Sequence, residues 1–404
     1  MLSIAGRLPF RLLASALSLT GLLLTAGAQA QTYSIFDLGT LEGDFGLGSL
    51  GISINASGEV TGFSSVSGNG THAFRTTVGG KAGDIGSDLG TLGGKDSYGM
   101  SINASGQITG DAQILSTASR AFRTSANGKI SDPGTDLGTL GGSYSQGKAI
   151  NDSGQVTGYS KINAGTIDHA FRTTANGKVS DVGADLGTLG GNDSQGLGIN
   201  ASGQVTGYSN NAAGFAHAFR TTATGTLSDG TATDLGSLGG VSPFSIGNGI
   251  NDSGQVTGYS YADSGEQHAF RTTATGLVSD AGADLGTLGG NMSEGYGINA
   301  AGQVTGFSYT TGNQARHAFL YTTSMVDLNF LISAADQANW QLLDGSDIND
   351  SGQITGRGTF NGNTHAFLLT PLGPSPTPEP GVWGLLAAGA TLGLTLRRRR
   401  RSQR

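Results

Sequence analysis

Pairs of aspartates four residues apart recur along the chain: Asp84 and Asp88, Asp132 and Asp136, Asp181 and Asp185, Asp280 and Asp284. A looser version has Asp229 and Asp234. Two carboxylates around a glycine can share a hard cation, because Ca²⁺ takes its ligands from oxygen-rich loops. The four close pairs are therefore the candidate metal ligands, with Ca²⁺ as the ion. No full Asp-x-Asp-x-Asp-Gly loop accompanies them. Aspartate beside glycine also forms tight turns without any ion, so both readings stand. No other cofactor is implied.

The six histidines, His72, His169, His217, His268, His317 and His365, all fall at one place in a repeat. An active site needs groups of different roles converging on one point. A residue present once per unit is instead spread from unit to unit, so these histidines are expected to hydrogen-bond within their own units. Arg75, Arg123, Arg172, Arg220 and Arg271 recur in the same way and are expected to pair with aspartates such as Asp88 or Asp136. No residue is assigned a catalytic or cofactor-binding role. The chain has no cysteine, which excludes disulfides, thiolate metal sites and thiol catalysis.

The elements that must position these residues follow from the repeat itself. Seven copies of Ile-Asn-x-(Ser/Ala)-Gly-(Gln/Glu)-(Val/Ile)-Thr-Gly occur, with asparagines at 55, 103, 151, 200, 251, 299 and 349. A period near 50 marks one supersecondary unit that buries its faces against its neighbours. In the third unit, Gly147-Lys148-Ala149-Ile150 leads into the turn Asn151-Asp152-Ser153-Gly154. Asn and Asp bond locally to backbone there, and Gly supplies positive φ. Gln155 to Ser160 is the return strand, His169 to Thr174 a third strand, and Asp185 to Leu189 a fourth, ended by Gly190-Gly191.

Four antiparallel strands in about 50 residues is the size of a propeller blade. The fold class expected is all-β: a seven-bladed β-propeller over residues 31–371. The chain opens on an unattached fourth strand, Tyr33 to Leu41, and the last unit ends on a third strand, His365 to Thr370. The N-terminal strand can thus complete the seventh blade and remove the open edges. A β-solenoid is the alternative. Residues 331–342, with Trp340, depart from the unit and have room for one helical turn. Glycine, at 71 of 404 residues against a usual ~7%, fits turns and close packing.

Both ends read as sorting signals. Residues 1–30 form a signal peptide: Arg7 and Arg11, an apolar run from Leu12 to Ala26, and Ala28-Gln29-Ala30 as the cleavage site. Residues 372–377 are a Pro-rich linker. In 378–404, Pro378-Glu379-Pro380 precedes an apolar stretch, Gly381 to Leu396, and then Arg397, Arg398, Arg399, Arg400 and Arg401. That stretch is expected to be a transmembrane helix with the arginines on the cytoplasmic side. Of 22 basic residues, eight lie in these two ends together with one acidic residue, Glu379, which leaves 14 basic against 28 acidic residues, a balance of −14. So acidic a remainder argues against nucleic acid as a partner.

The C-terminal order of motif, apolar helix and arginine cluster resembles the PEP-CTERM sorting signal. That resemblance implies processing by an exosortase, after signal peptidase has acted at the other end, in a Gram-negative host that makes exopolysaccharide. The His-Ala-Phe triplet, the Ile-Asn-x-x-Gly turn and the Asp-Leu-Gly-Thr-Leu strand resemble the HAF extracellular repeat family across residues 33–370. Unit two departs, with Arg120 in the histidine place, and units six and seven carry Leu320 and Leu368 in the arginine place. These resemblances imply an exported cell-surface or matrix protein, held by the C-terminal helix until cleaved. It would be a non-catalytic binding or structural module contacting exopolysaccharide or envelope proteins through variable loops such as Ser64 to Thr71 and Lys161 to Asp168. The alternative is an extracellular propeller enzyme, a polysaccharide lyase or glycosidase. That would need acid and base residues unique to one or two units.

Overall fold

The computed structural model describes residues 32–43, 48–115, 118–163, 165–240 and 243–373. The expected signal peptide, with Ala28 and Ala30, and the sorting tail from Pro378 to Arg404 lie outside the described residues. Among the described residues no helix is long and apolar enough to cross a membrane.

The chain is all-β and almost wholly antiparallel. The third unit shows the pattern: Gly141–Ile150, Val156–Ile162, Asp168–Arg172 and Asp185–Gly187 form one four-stranded sheet in sequence order. The Ile-Asn turn makes the first hairpin. Asn151 Oδ1 accepts the Gln155 amide at 3.0 Å, and Gly154 takes φ +82°. The sheet of the seventh repeat unit is assembled from both ends of the described chain. Tyr33–Gly39 pairs with Asn363–Pro371, which continues to Ile354–Phe360 and Trp340–Ile348. The one-turn helix expected near Trp340 is present as Ala334–Gln337, capped by Ser333.

Two expectations need correction. The fourth strand is far shorter than Asp-Leu-Gly-Thr-Leu. It is three residues in unit three and a single bridge in units one, two and five. Asp185 Oδ1 accepts the Gly187 amide at 2.8 Å and Gly187 adopts φ +68°, so the backbone turns out of the sheet. Nor does Gly190-Gly191 end a strand. It begins the next unit's first strand, Gly190–Ile199.

Successive units are locked by the same contacts each time. Ala121 and Leu137 of unit two pack with Ile150, Val156, Phe171 and Val179 of unit three. Each Phe of the His-Ala-Phe triplet and of its Arg120 variant is fully buried. A Cβ on Gly196 would lie 2.2 Å from Thr157 Oγ1 of the preceding unit, so only glycine fits that close approach. The last and first units share these contacts. Leu38, Ala366 and Leu368 pack with Ile54, Val60 and Phe74, and a Cβ on Gly51 would meet Thr355 Oγ1 at 2.3 Å.

A further chain of bonds links the turns. Asn55 Nδ2 donates to the carbonyl of Asn103, and Asn103 to Asn151, then on through Asn200, Asn251, Asn299 and Asn349. Asn349 Nδ2 donates to the carbonyl of Asn55 at 3.0 Å, so the circuit returns to its start. Each of these buried amides also donates to the residue four positions on, Glu59 in unit one and a glutamine in the others.

Candidate functional site

The first strands carry a β-bulge at one place in every unit. The register shifts across Ile52, Met100, Lys148, Leu197, Asn248, Tyr296 and Ser346. A bulge inserts one unpaired residue and re-aims its side chain. All seven bulged residues occupy the same position, three before the turn asparagine, and all seven line one cavity of about 510 Å³. First-strand residues from all seven units contribute to its wall. A smaller cavity of about 230 Å³ lies further along the same strands, lined by the seven asparagine turns. Ile150, Ile199, Ile250 and Ile298 line both.

Two groups of polar side chains stand out here because they are not repeated. In the first, Arg316 Nε donates to Asp344 Oδ1 at 2.6 Å and Arg357 Nη2 contacts Asp344 Oδ2. The Arg316 guanidinium also stacks 3.6 Å from the Phe307 ring centroid and reaches the Tyr296 hydroxyl at 3.4 Å. Burial works against the Arg316 charge, but Asp344 outweighs it and holds that pKa above its ordinary value. Glu294, bonded by Gln267 Nε2 at 2.7 Å, is pushed up by burial.

In the second group, Gln146 Nε2 donates to Asp111 Oδ1 at 2.5 Å, and the Tyr159 hydroxyl donates to Gln146 Oε1 at 2.7 Å. The Lys148 ammonium lies 5.7 Å from the Tyr159 ring centroid. Burial pushes Asp111 up and Lys148 down, the latter against the pull of Asp111. Asp347 also faces the cavity. Its carboxylate accepts from Ser53 Oγ at 2.9 Å and from the amides of Ile54 and Ile348. Desolvation nonetheless raises it to about 6.

The aspartate pairs read from the sequence do two separate jobs. The first member caps its own turn: Asp84, Asp132, Asp181 and Asp280 accept the amides of Lys81, Lys129, Lys178 and Leu277 at 2.7–2.9 Å. The second member binds the unit's histidine, as His72 Nδ1 to Asp88, His169 to Asp185 and His268 to Asp284, each at 2.9–3.0 Å. Asp136, beside Arg120 rather than a histidine, accepts the Gly138 amide. No group of three metal-ligating side chains exists among the described residues. Burial opposes ionisation of Asp88, Asp185 and Asp284, but the histidine and backbone bonds outweigh it and hold them below the usual range.

The histidines therefore bond within their units, as expected, whereas the expected arginine–aspartate pairing is absent. Histidine occupies the aspartate, and the arginines reach the next unit instead. Arg123 Nη1 donates to the Gly154 carbonyl at 2.9 Å, and Arg172 to that of Gly203 at 3.0 Å. A guanidinium has five donors and serves several carbonyls at once, which suits a fastener between units.

No protein-family model matches the chain, and no curated protein sequence matches it. Solved structures do match. A TolB-like protein from Agrobacterium tumefaciens gives a TM-score of 0.42 at 12% identity, over 68% of this chain and 90% of that one. The WD40 domain of Toxoplasma gondii coronin gives 0.44 at 9% identity, over 86% and 87%. Aleuria aurantia lectin, in complex with Fucα1-6GlcNAc, gives 0.32 at 11% identity, over 83% and 99%. The sheets and their repeated contacts define the class here: an all-β repeat protein of propeller type.

Proposed function

We propose that the chain is a closed seven-bladed propeller, exported to the cell surface or matrix, that acts as a non-catalytic module binding polysaccharide. The single observation carrying this reading is the cavity whose wall takes a first strand from every unit and differs at the bulge in all seven. A uniform structural ring has no need of seven different side chains at one position. Closure is supported by the asparagine circuit and by the pairing of Tyr33–Gly39 with Asn363–Pro371. Export, membrane retention and exosortase processing rest on the two terminal segments and the PEP-CTERM resemblance alone. The HAF resemblance agrees with an extracellular setting.

The enzymatic alternative draws on the non-repeated acids Asp344 and Glu294. Asp344 is held by two guanidiniums and Glu294 by Gln267. With both Asp344 oxygens taken by guanidiniums, that carboxylate has none free to accept a proton from a substrate, so Glu294 lacks it as a partner base, which favours binding over turnover. The test is a pulldown of the purified protein on the host's own exopolysaccharide, with release of reducing or unsaturated ends followed in parallel. Retention without new ends supports the binding module. New ends that vanish in Glu294→Gln support the enzyme, and no retention removes polysaccharide as the partner.

A further inference from the structure

The cavity's charged groups are unequally satisfied. Its acids are used up internally. Asp344 is almost wholly buried and gives both oxygens to Arg316 and Arg357, while Asp347 gives both of its oxygens to Ser53, Ile54 and Ile348. Its cations are not. The Lys148 ammonium has three donors, yet no hydrogen-bond acceptor for it exists among the described residues. Its neighbours are the Tyr159 ring and, at longer range, the Asp111 charge. Two guanidiniums share one carboxylate, and Arg357 Nε is buried with no partner.

These three cations belong to different units, three, six and seven, and none recurs as a cation at the equivalent place in another unit. They line one cavity in a protein whose remainder is strongly acidic. Surface lysines and arginines scatter over a protein, whereas donors gathered in a concave site of a few hundred Å³ recognise a ligand. The forked geometry of arginine fits a carboxylate, and the arginine–Asp344 contacts already display that pairing. Between the cations, Ile52, Met100 and Leu197 offer apolar surface suited to the C–H face of a sugar ring.

We propose that this cavity binds a carboxylate-bearing sugar, such as a uronate unit of an acidic polysaccharide, through Lys148, Arg316 and Arg357. The proposal rests on the polysaccharide-binding reading above and names the chemistry of its ligand.

The test measures binding of oligogalacturonate to the full-length protein in mild detergent by calorimetry. Its fully methyl-esterified form, acetate and inorganic phosphate serve as comparisons. The expected result is binding to the free acid at least tenfold tighter than to the ester, to acetate or to phosphate, weakening as salt rises. Lys148→Gln should weaken it about tenfold with an unchanged circular dichroism spectrum and melting temperature. Arg357→Gln should do the same, and Lys148→Gln keeps the test decisive if that variant misfolds. Equal binding of ester and acid overturns the carboxylate assignment and leaves a polysaccharide site. Acetate or phosphate binding as tightly as the uronate overturns the sugar. Failure of both the acid and its ester overturns the uronate inference, while the reading beneath it falls only if the host's own exopolysaccharide is not retained either.

Discussion

The two ends of the inner strands differ sharply. At the asparagine end, seven units present the same residue in the same bonds, and the small cavity there is lined by near-identical turns. A few residues earlier, the wider cavity is lined by lysine, asparagine, tyrosine, leucine, methionine, isoleucine and serine at equivalent places. One end is frame and the other is free to vary. The bulge separates them. It leaves its residue outside the ladder, so that residue's identity costs the sheet little. A repeat protein can thus hold a fixed ring and still build a site without symmetry.

Perturbations should respect that division. Deleting Tyr33–Gly39 should have the largest effect. It exposes the edge of Asn363–Pro371 and strips Leu38 from the junction between the last unit and the first. Loss of the cooperative thermal transition, with aggregation on size exclusion, is the expected outcome. A variant that still melted sharply as a monomer would break the comparison at its frame end.

Gly196→Ala comes next. Its new Cβ meets Thr157 Oγ1, which is fixed by its bond to the Phe171 carbonyl. The expected loss is about 1–3 kcal/mol by urea denaturation.

Asp347→Asn should act on the pH dependence of stability. Burial pushes the native carboxyl up to about 6 in the folded state, against about 3.9 when unfolded. Between those values the folded protein binds more protons, so stability falls as pH rises through that window. The asparagine variant should lose this slope, read from urea midpoints at pH 4.5 and 7. The aspartates of the His72–Asp88, His169–Asp185 and His268–Asp284 pairs give the reverse pattern, losing their contribution as pH falls below about 4, whereas the raised histidines follow Asp347 and lose theirs as pH climbs past their folded values.

Smallest of all should be Met100→Gln, a swap at the bulge, with a melting point shifted by the equivalent of less than about 0.5 kcal/mol. A loss as large as that of Gly196→Ala would erase the distinction between frame and free positions.

How far this was legible in the sequence follows the same line. The turn Asn151-Asp152-Ser153-Gly154 and the triplet His169-Ala170-Phe171 recur because every copy makes the same contacts, so repetition alone located them. Asp185-Leu186-Gly187-Thr188-Leu189 misled, because leucine and threonine suit strands while the aspartate side chain and a left-handed glycine curl the backbone away. The acceptor of Arg172, the Gly203 carbonyl, is not legible in the sequence because it belongs to another unit and is a backbone atom. Lys148, Tyr296, Arg316, Asp344 and Arg357 are invisible to repetition, because each stands in one unit alone. Their signal was the converse. In aligned copies, the third and fifth residues before the turn asparagine, Lys148, Tyr296 and Asp344 among them, change from unit to unit around a constant glycine, and Arg316 and Arg357 stand where no other unit has a cation.

The most direct test of the account is whether the chain's two ends meet in one sheet. The protein has no cysteine, so a pair introduced as Ser34→Cys and Thr370→Cys, register partners on the sheet of the seventh repeat unit, reports on nothing else. Cross-strand partners lie close enough for a disulfide. The account predicts an intramolecular disulfide on mild oxidation, seen as a faster monomer band on a non-reducing gel and a higher melting temperature. No cross-link, or cross-linked dimers alone, would contradict the closed ring.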